Sequence, residues 1–401
     1  MFHLNKAVIG GSIILLITIN IYFAFNYFFH FAMARMLSVA EYGILASLYS
    51  IIYITAVFSE SIQTIISKYS TEEDDAGKLK NVLKKSAKKA IQLSIIFFAI
   101  YLLVAIVLSK LMKIDYLLMA ITGLILFSSF LLPATRGLMQ GRKRFKVLGF
   151  NMVLEALIKF FMALILVFIG WKVYGAIIAT LLGVFISLAF SFYSLRDILS
   201  SKEAKSKTKG IYKYSFPVFI STLTVVFLYS LDVILARIFF SPEIAGYYAI
   251  ASTLSKIIFF GTLPVSKAMF PISADSNNKN SLNVLLNSIL ILGCMLLVSL
   301  TVIYFFPDIL IRIFSGKYIP EASSILIYPA IAISIVSLSN LIILYKLSLG
   351  NTKNYQLLLI FVAVEIALLS YFNDNLVEFS VAFMTSSAIF FWGAIFLLDK
   401  N

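Results

Sequence analysis

The chain has 401 residues, 61% of them hydrophobic and 13% charged, against roughly half and a quarter in soluble domains, and its mean hydropathy of +0.98 excludes an ordinary soluble protein. One cysteine, Cys294, excludes an internal disulfide, and two histidines, His3 and His30, are too few for a His/Cys metal cluster. The 33 Lys and Arg against 19 Asp and Glu give a net charge of +14, which in a soluble chain would point to nucleic acid.

In chain order, apolar runs predict membrane-spanning helices over 8–34, 42–66, 90–109, 116–135, 147–170, 173–195, 214–236, 246–270, 284–306, 322–345, 355–372 and 378–398. The expected fold is therefore an all-α polytopic membrane protein of twelve spans. The first run is too long for a signal-peptide core and lacks a small-residue cleavage site, so it reads as a span.

Lys and Arg collect on the cytoplasmic side of membrane proteins. The N-terminus, the loops after even-numbered spans and the C-terminus carry 23 of them, and the loops after odd-numbered spans carry 7. Both termini are accordingly expected in the cytoplasm, with the protein in the cell membrane. The remaining three, Lys159, Lys256 and Lys267, fall within spans. This placement makes the basic stretches, such as LKNVLKKSAKKA at 79–90, topology signals and contacts for anionic lipid headgroups; no nucleic-acid partner is expected.

The two halves of the chain resemble each other. MARMLSVAEYGILASL (33–48) matches LARIFFSPEIAGYYAIASTL (235–254), pairing Arg35 with Arg237 and, after a one-residue insertion, Gly43 with Gly246. A weaker match pairs RGLMQGRKRF (136–145) with YKLSLGNTKNY (345–355) through Gly141 and Gly350. The offset of about 200 residues spans six helices, an even number, so the expected halves are parallel repeats around a central cavity, able to rock between inward-open and outward-open states. Their boundaries are 1–195 and 214–401, joined by a basic cytoplasmic linker at 196–213.

YKYSFPVFISTLTVVFLYSLDVILARIFFSPEIAGYYAIASTL (212–254) resembles the start of the second half in prokaryotic polysaccharide-biosynthesis membrane proteins, the Wzx-type oligosaccharide flippases of the multidrug/oligosaccharidyl-lipid/polysaccharide exporter superfamily. The matching residues are Tyr214, Ser215 and Pro217 opening a span, Asp232 fifteen residues beyond the proline, and Gly246 with Tyr247 opening the next. RGLMQGRKRF is similar to the family's loop after span four. The resemblance covers essentially the whole chain. It implies a flippase moving an oligosaccharide linked to an isoprenoid phosphate or pyrophosphate from the cytoplasmic to the outer leaflet by alternating access. The alternative within the superfamily is a cation-coupled multidrug exporter; its peptidoglycan-precursor flippases usually have fourteen spans.

Ionisable residues inside a membrane are costly and point to function. Counting along the spans places Glu155, Lys159, Lys256 and Glu365 near mid-depth, Arg35, Asp232 and Arg237 toward the extracellular rim, and Glu60 toward the cytoplasmic one. By the repeat offset, His30 takes the place of Asp232 in the first half. Glu155 and Lys159 stand at i,i+4 in the favourable order for an ion pair; either they neutralise each other, or Lys159 hands its charge to a phosphate. Lys256 has no charge at i±3 or i±4 and requires a partner from another helix or a ligand. The substrate-binding set is Lys256, Lys159, Arg35 and Arg237, and the ion-coupling or charge-pair set is Glu155, Glu365, Asp232 and Glu60. For Arg35 and Arg237 snorkelling to headgroups is the competing reading, and for Glu365 and Glu60 a hydrogen-bonded neutral acid.

A membrane glycosyltransferase or polymerase would need carboxylates or a metal placed by a sizeable loop. No Asp-x-Asp occurs, the extracellular loops reach only about a dozen residues, and the one acidic cluster, EEDD at 72–75, lies in a lysine-rich cytoplasmic loop. No catalytic residue and no cofactor is expected. The expected partners are the lipid-linked oligosaccharide, anionic lipids and glycan-assembly enzymes.

Overall fold

A computed structural model describes residues 6–206, 215–274 and 281–397. Tyr214, residues 207–213 of the expected linker, His3 and both chain ends lie outside the described residues. Among the described residues every expected span falls on helix, some runs being divided by a turn. α1 (Lys6–Met36), α2 (Val39–Glu72) and α3 (Ala76–Met112) are each longer than a bilayer requires. The fourth apolar run forms two helices, α4 (Tyr116–Gly123) and α5 (Ile125–Gly141), followed by α6 (Phe145–Leu166), α7 (Lys172–Ser194) and the short α8 (Arg196–Ser200). The seventh run is likewise divided into α9 (Ser215–Leu228) and α10 (Leu231–Phe239). α11 (Pro242–Ala274), α12 (Ser281–Phe305), α13 (Pro307–Ser315), α14 (Pro320–Ile325), α15 (Ile327–Ser348), α16 (Leu359–Tyr371) and α17 (Leu376–Phe396) complete the chain, with no strand among the described residues.

Nine stretches of the described residues are long and apolar enough to cross a membrane; one of these, Phe145–Ser194, contains both α6 and α7, and α16 belongs to a shorter apolar helix, Tyr355–Tyr371. The chain is an all-α polytopic membrane protein.

Local chemistry sets the helix ends. Ser38 and Glu41 form a reciprocal capping box at the start of α2: the Ser38 Oγ accepts from the Glu41 N–H at 3.2 Å, and the Glu41 carboxylate accepts from the Ser38 N–H at 2.9 Å. Asp75 caps α3 by accepting from the N–H groups of Gly77 and Lys78. Between α6 and α7 the backbone turns at Gly170, whose φ of +95° is open to glycine and strained for other residues.

The chain divides into two compact units, one of Met1–Leu37 with Thr55–Ser215 and the other of Ser38–Ile54 with Phe216–Asn401. In the first, α6 packs between α1 and α7, and α3 packs on α5. Its interior includes Leu79, Leu83, Leu138, Leu148 and Leu195 and a trio of rings from Phe58, Phe97 and Phe130. In the second, α15 packs between α11 and α17, where Phe379 meets Phe240 and Tyr248 edge-on at 5.3 and 5.1 Å between ring centres.

The repeat signature acquires a physical meaning inside the second unit. Ser241 caps α11 through Ile244 N–H at 3.4 Å, as Ser38 caps α2, and a glycine follows each serine five residues later. Those two glycines meet: a Cβ on Gly43 would lie 3.0 Å from Gly246 Cα, and one on Gly246 would lie 2.3 Å from the Val39 carbonyl oxygen. Each copy of the motif is thus a helix start followed by the point where its helix touches the other copy. Any side chain at Gly246 would force that crossing apart.

Candidate functional site

Each unit encloses a polar cluster within apolar helices. In the first, Asn151, Glu155 and Lys159 recur every fourth residue on α6 and so share a face roughly 12 Å long. Close helix packing holds that face. A Cβ on Gly183 of α7 would stand 2.7 Å from the Glu155 carbonyl oxygen; Asn151 Nδ2 donates to the Ser187 carbonyl at 2.7 Å, while Ser187 Oγ donates to that of Asn151 at 3.1 Å.

The partner of Glu155 is Arg136 from α5. Its Nη2 donates to the Glu155 carboxylate at 2.6 Å and to Ser187 Oγ at 3.2 Å, and its Nε donates to Asn151 Oδ1 at 2.7 Å. Tyr22 of α1 donates to the other Glu155 oxygen at 3.3 Å. Lys159 donates instead to Asn26 Oδ1 of α1 and lies 4.6 Å from the centre of the Phe29 ring. Where the i,i+4 spacing suggests a Glu155–Lys159 ion pair, Glu155 forms its salt bridge with Arg136, which presents two donors in one plane.

Arg136 is a charged member of this cluster that sequence reading does not single out. The apolar run ends at 135, which puts Arg136 in a loop, yet α5 continues to Gly141 and buries the guanidinium. The available signal was its place one residue beyond the expected span 116–135.

In the second unit Tyr248, Ser252 and Lys256 repeat the four-residue spacing along α11. They converge on Asp232 of α10. Its carboxylate accepts from Lys256 Nζ at 3.2 Å, from Ser252 Oγ at 2.5 Å and from Tyr248 OH at 3.2 Å, with Asp232 fully buried. Lys256 therefore has the cross-helix partner that its sequence environment demanded, Asp232. Glu365 of α16, which packs on α10, is within electrostatic reach of both Asp232 and Lys256. It is fully buried, and neither carboxylate oxygen has a hydrogen-bond partner among the described residues.

The other expected site residues stay apart from these clusters. Arg35 is exposed, its guanidinium 4.3 Å from the centre of the Phe31 ring, whereas its repeat partner Arg237 is buried and donates to the Pro242 carbonyl at 3.2 Å. Glu60 is exposed on α2. His30, the repeat counterpart of Asp232, is buried edge-on to Phe29, with 5.3 Å between ring centres. No group of three His, Cys, Asp or Glu among the described residues is placed to hold a metal ion.

Solved structures share this fold along nearly the whole chain. An inward-facing multidrug resistance MATE transporter of the MOP superfamily aligns at a TM-score of 0.72 and 14% identity, over 92% of this chain and 93% of its own. The lipid II flippase MurJ in an inward closed conformation aligns at 0.72 and 16% identity, over 96% of this chain and 87% of its own. An uncharacterized membrane protein of Methanocaldococcus jannaschii is 24% identical over 351 residues, 82% of this chain and 81% of that protein. The family profile described as polysaccharide biosynthesis protein matches residues 9–277, and the chain belongs to that family.

Proposed function

We propose that this protein is a flippase that carries an oligosaccharide linked to an isoprenoid phosphate or pyrophosphate from the cytoplasmic to the outer leaflet by alternating access. Membership of the polysaccharide biosynthesis family over residues 9–277 carries this reading. The residues supply spans and short loops, a makeup suited to moving a lipid intermediate rather than assembling one. In the first unit, the cluster holds two cations, Arg136 and Lys159, against one carboxylate, Glu155, a surplus that favours an anionic cargo.

Lys256 is the proposed phosphate-binding cation of the second unit. Tyr248 and Ser252 remain as donors to Asp232 when the ammonium turns to a phosphate, so the carboxylate is not left bare and the exchange avoids the full penalty of a stranded charge. Lys159 has the corresponding role in the first unit, where neutral Asn26 holds it. Glu365 is the proposed proton carrier: a buried carboxyl without donors is cheaper to hold neutral than charged, and water reaching it would free the proton. Arg35 and Arg237 are proposed headgroup or ligand contacts, and Glu60 is an accessory carboxylate.

The second reading, a cation-coupled multidrug exporter, is favoured by one observation: Asp232 and Glu365 give the second unit's cluster two carboxylates against one lysine. Removing the protein from cells separates the two readings. The flippase reading expects lipid-linked glycan to build up on the cytoplasmic leaflet with unchanged sensitivity to cationic dyes; unchanged glycan together with heightened dye sensitivity would select the exporter.

We also propose that both termini are cytoplasmic, from the 23-to-7 division of Lys and Arg. A Lys205→Cys variant in a background lacking Cys294 should resist an impermeant maleimide added to intact cells. Ready labelling from outside would reverse the orientation.

A further inference from the structure

We infer that the groove between α3 and the α7–α8 corner is a binding site for the headgroup of an anionic phospholipid, with an acyl chain running along the apolar side of α3. The groove encloses about 490 Å³ and is walled by Lys80, Lys84 and Lys88 together with apolar groups, among them Leu83, Ile91 and Phe192. The three lysines recur every fourth residue and so line one edge of α3. Lys80 is tied to the Ser201 carbonyl at 2.8 Å, and Lys84 to Glu203 at 3.0 Å. Lys88 is exposed and has no hydrogen bond or ion pair among the described residues. The walls thus hold three ammonium groups, with one carboxylate, Glu203, beside them. That surplus calls for an anion.

The apolar continuation identifies the anion as a lipid. Beyond Lys89 the exposed residues of α3 are mostly apolar, among them Ile91, Ile95, Ile96, Ile100 and Leu103, with Gln92 at the groove, the composition of a helix face in contact with acyl chains. At the α7–α8 corner, Arg196 lies 4.8 Å from the centre of the exposed Tyr193 ring and donates to its hydroxyl at 2.9 Å, an aromatic and basic pair typical of the membrane–water boundary. A phosphate among the lysines would therefore sit at headgroup level. The chain's own segment 207–213 is unsuited to the groove, since it carries Lys207, Lys209 and Lys213 and no acid.

The test uses the full chain in nanodiscs of mixed phosphatidylglycerol and phosphatidylcholine, released and weighed by native mass spectrometry to count retained lipids. Wild type should retain phosphatidylglycerol in preference to phosphatidylcholine. Lys84→Gln/Lys88→Gln should lose that retention by about thirtyfold, which is about 1 kcal/mol for each of the two lysines. Lys68→Gln/Lys85→Gln removes equal charge but neither lysine of the groove wall, and should keep clearly more of the preference than Lys84→Gln/Lys88→Gln. Ala87→Trp fills the groove and keeps all three lysines; it should match the first variant, and melting temperatures in detergent verify that each variant is folded. Equal retention of the two lipids by wild type would overturn the site. So would the same loss from both charge pairs, or retention untouched by groove variants, the result expected if the groove receives an acidic protein instead.

Discussion

Asp232→Ala should destabilise the protein by about 3–5 kcal/mol, the effect of stripping the partner from a buried charge, and Asp232→Ala/Lys256→Ala should recover most of that loss. Asp232 is fully buried, and its carboxylate is the acceptor for Lys256, Ser252 and Tyr248. Removing it leaves the ammonium of Lys256 and two hydroxyls without their acceptor; removing both ends leaves only the hydroxyls. Lys256→Ala alone should be milder for stability, because Ser252 and Tyr248 continue to donate to the carboxylate. Transport should fail in all three, and Lys256→Arg should retain part of it, since the charge survives in a broader fork. Thermal unfolding in detergent, followed by transport normalised to folded protein, measures both quantities. A double variant no more stable than Asp232→Ala would refute the pairing, and full transport by Lys256→Ala would end the proposed phosphate role of this lysine.

Arg136→Ala carries the second large effect, a loss of about 3–5 kcal/mol for the same reason. Glu155 would keep Tyr22 at 3.3 Å as a donor, and Asn151 and Ser187 would lose the group that joins α5 to α6 and α7. Arg136→Lys should rescue only a fraction, because a single ammonium cannot reproduce a planar fork reaching Asn151, Glu155 and Ser187 together. Arg136→Met/Glu155→Gln should melt above Arg136→Ala, having no carboxylate left to strand. Should Arg136→Lys melt like wild type, the fork geometry would be irrelevant to the cluster.

The spans were legible because an apolar run long enough to cross a bilayer has few alternatives to helix, and among the described residues all twelve expected runs lie on helix. Breaks within runs were not: the seventh divides after Leu228, and the helix resumes at Leu231. Counting along an unbroken helix therefore does not reveal that Asp232 and Lys256 meet. The need of Lys256 for a partner was readable from its uncharged i±3 and i±4 neighbours, but naming the partner requires knowing that α10 packs on α11. Glu155 failed for the complementary reason, since the local spacing offered Lys159 while packing delivered Arg136 from a segment 19 residues earlier. The repeat was plain in the sequence, yet likeness carries no distance, and the approach of Gly43 to Gly246 emerges only when the helices are assembled.

The most direct test of the flippase reading is transfer of an isoprenoid-pyrophosphate oligosaccharide between leaflets of vesicles containing the purified protein, followed by a lectin outside the vesicles. Wild type should expose the glycan at a rate well above protein-free vesicles, with Lys256→Ala reduced toward that background and Lys256→Arg between the two. Transfer no faster than in protein-free vesicles, from folded wild type that moves cationic dyes across the same membranes, would contradict the account.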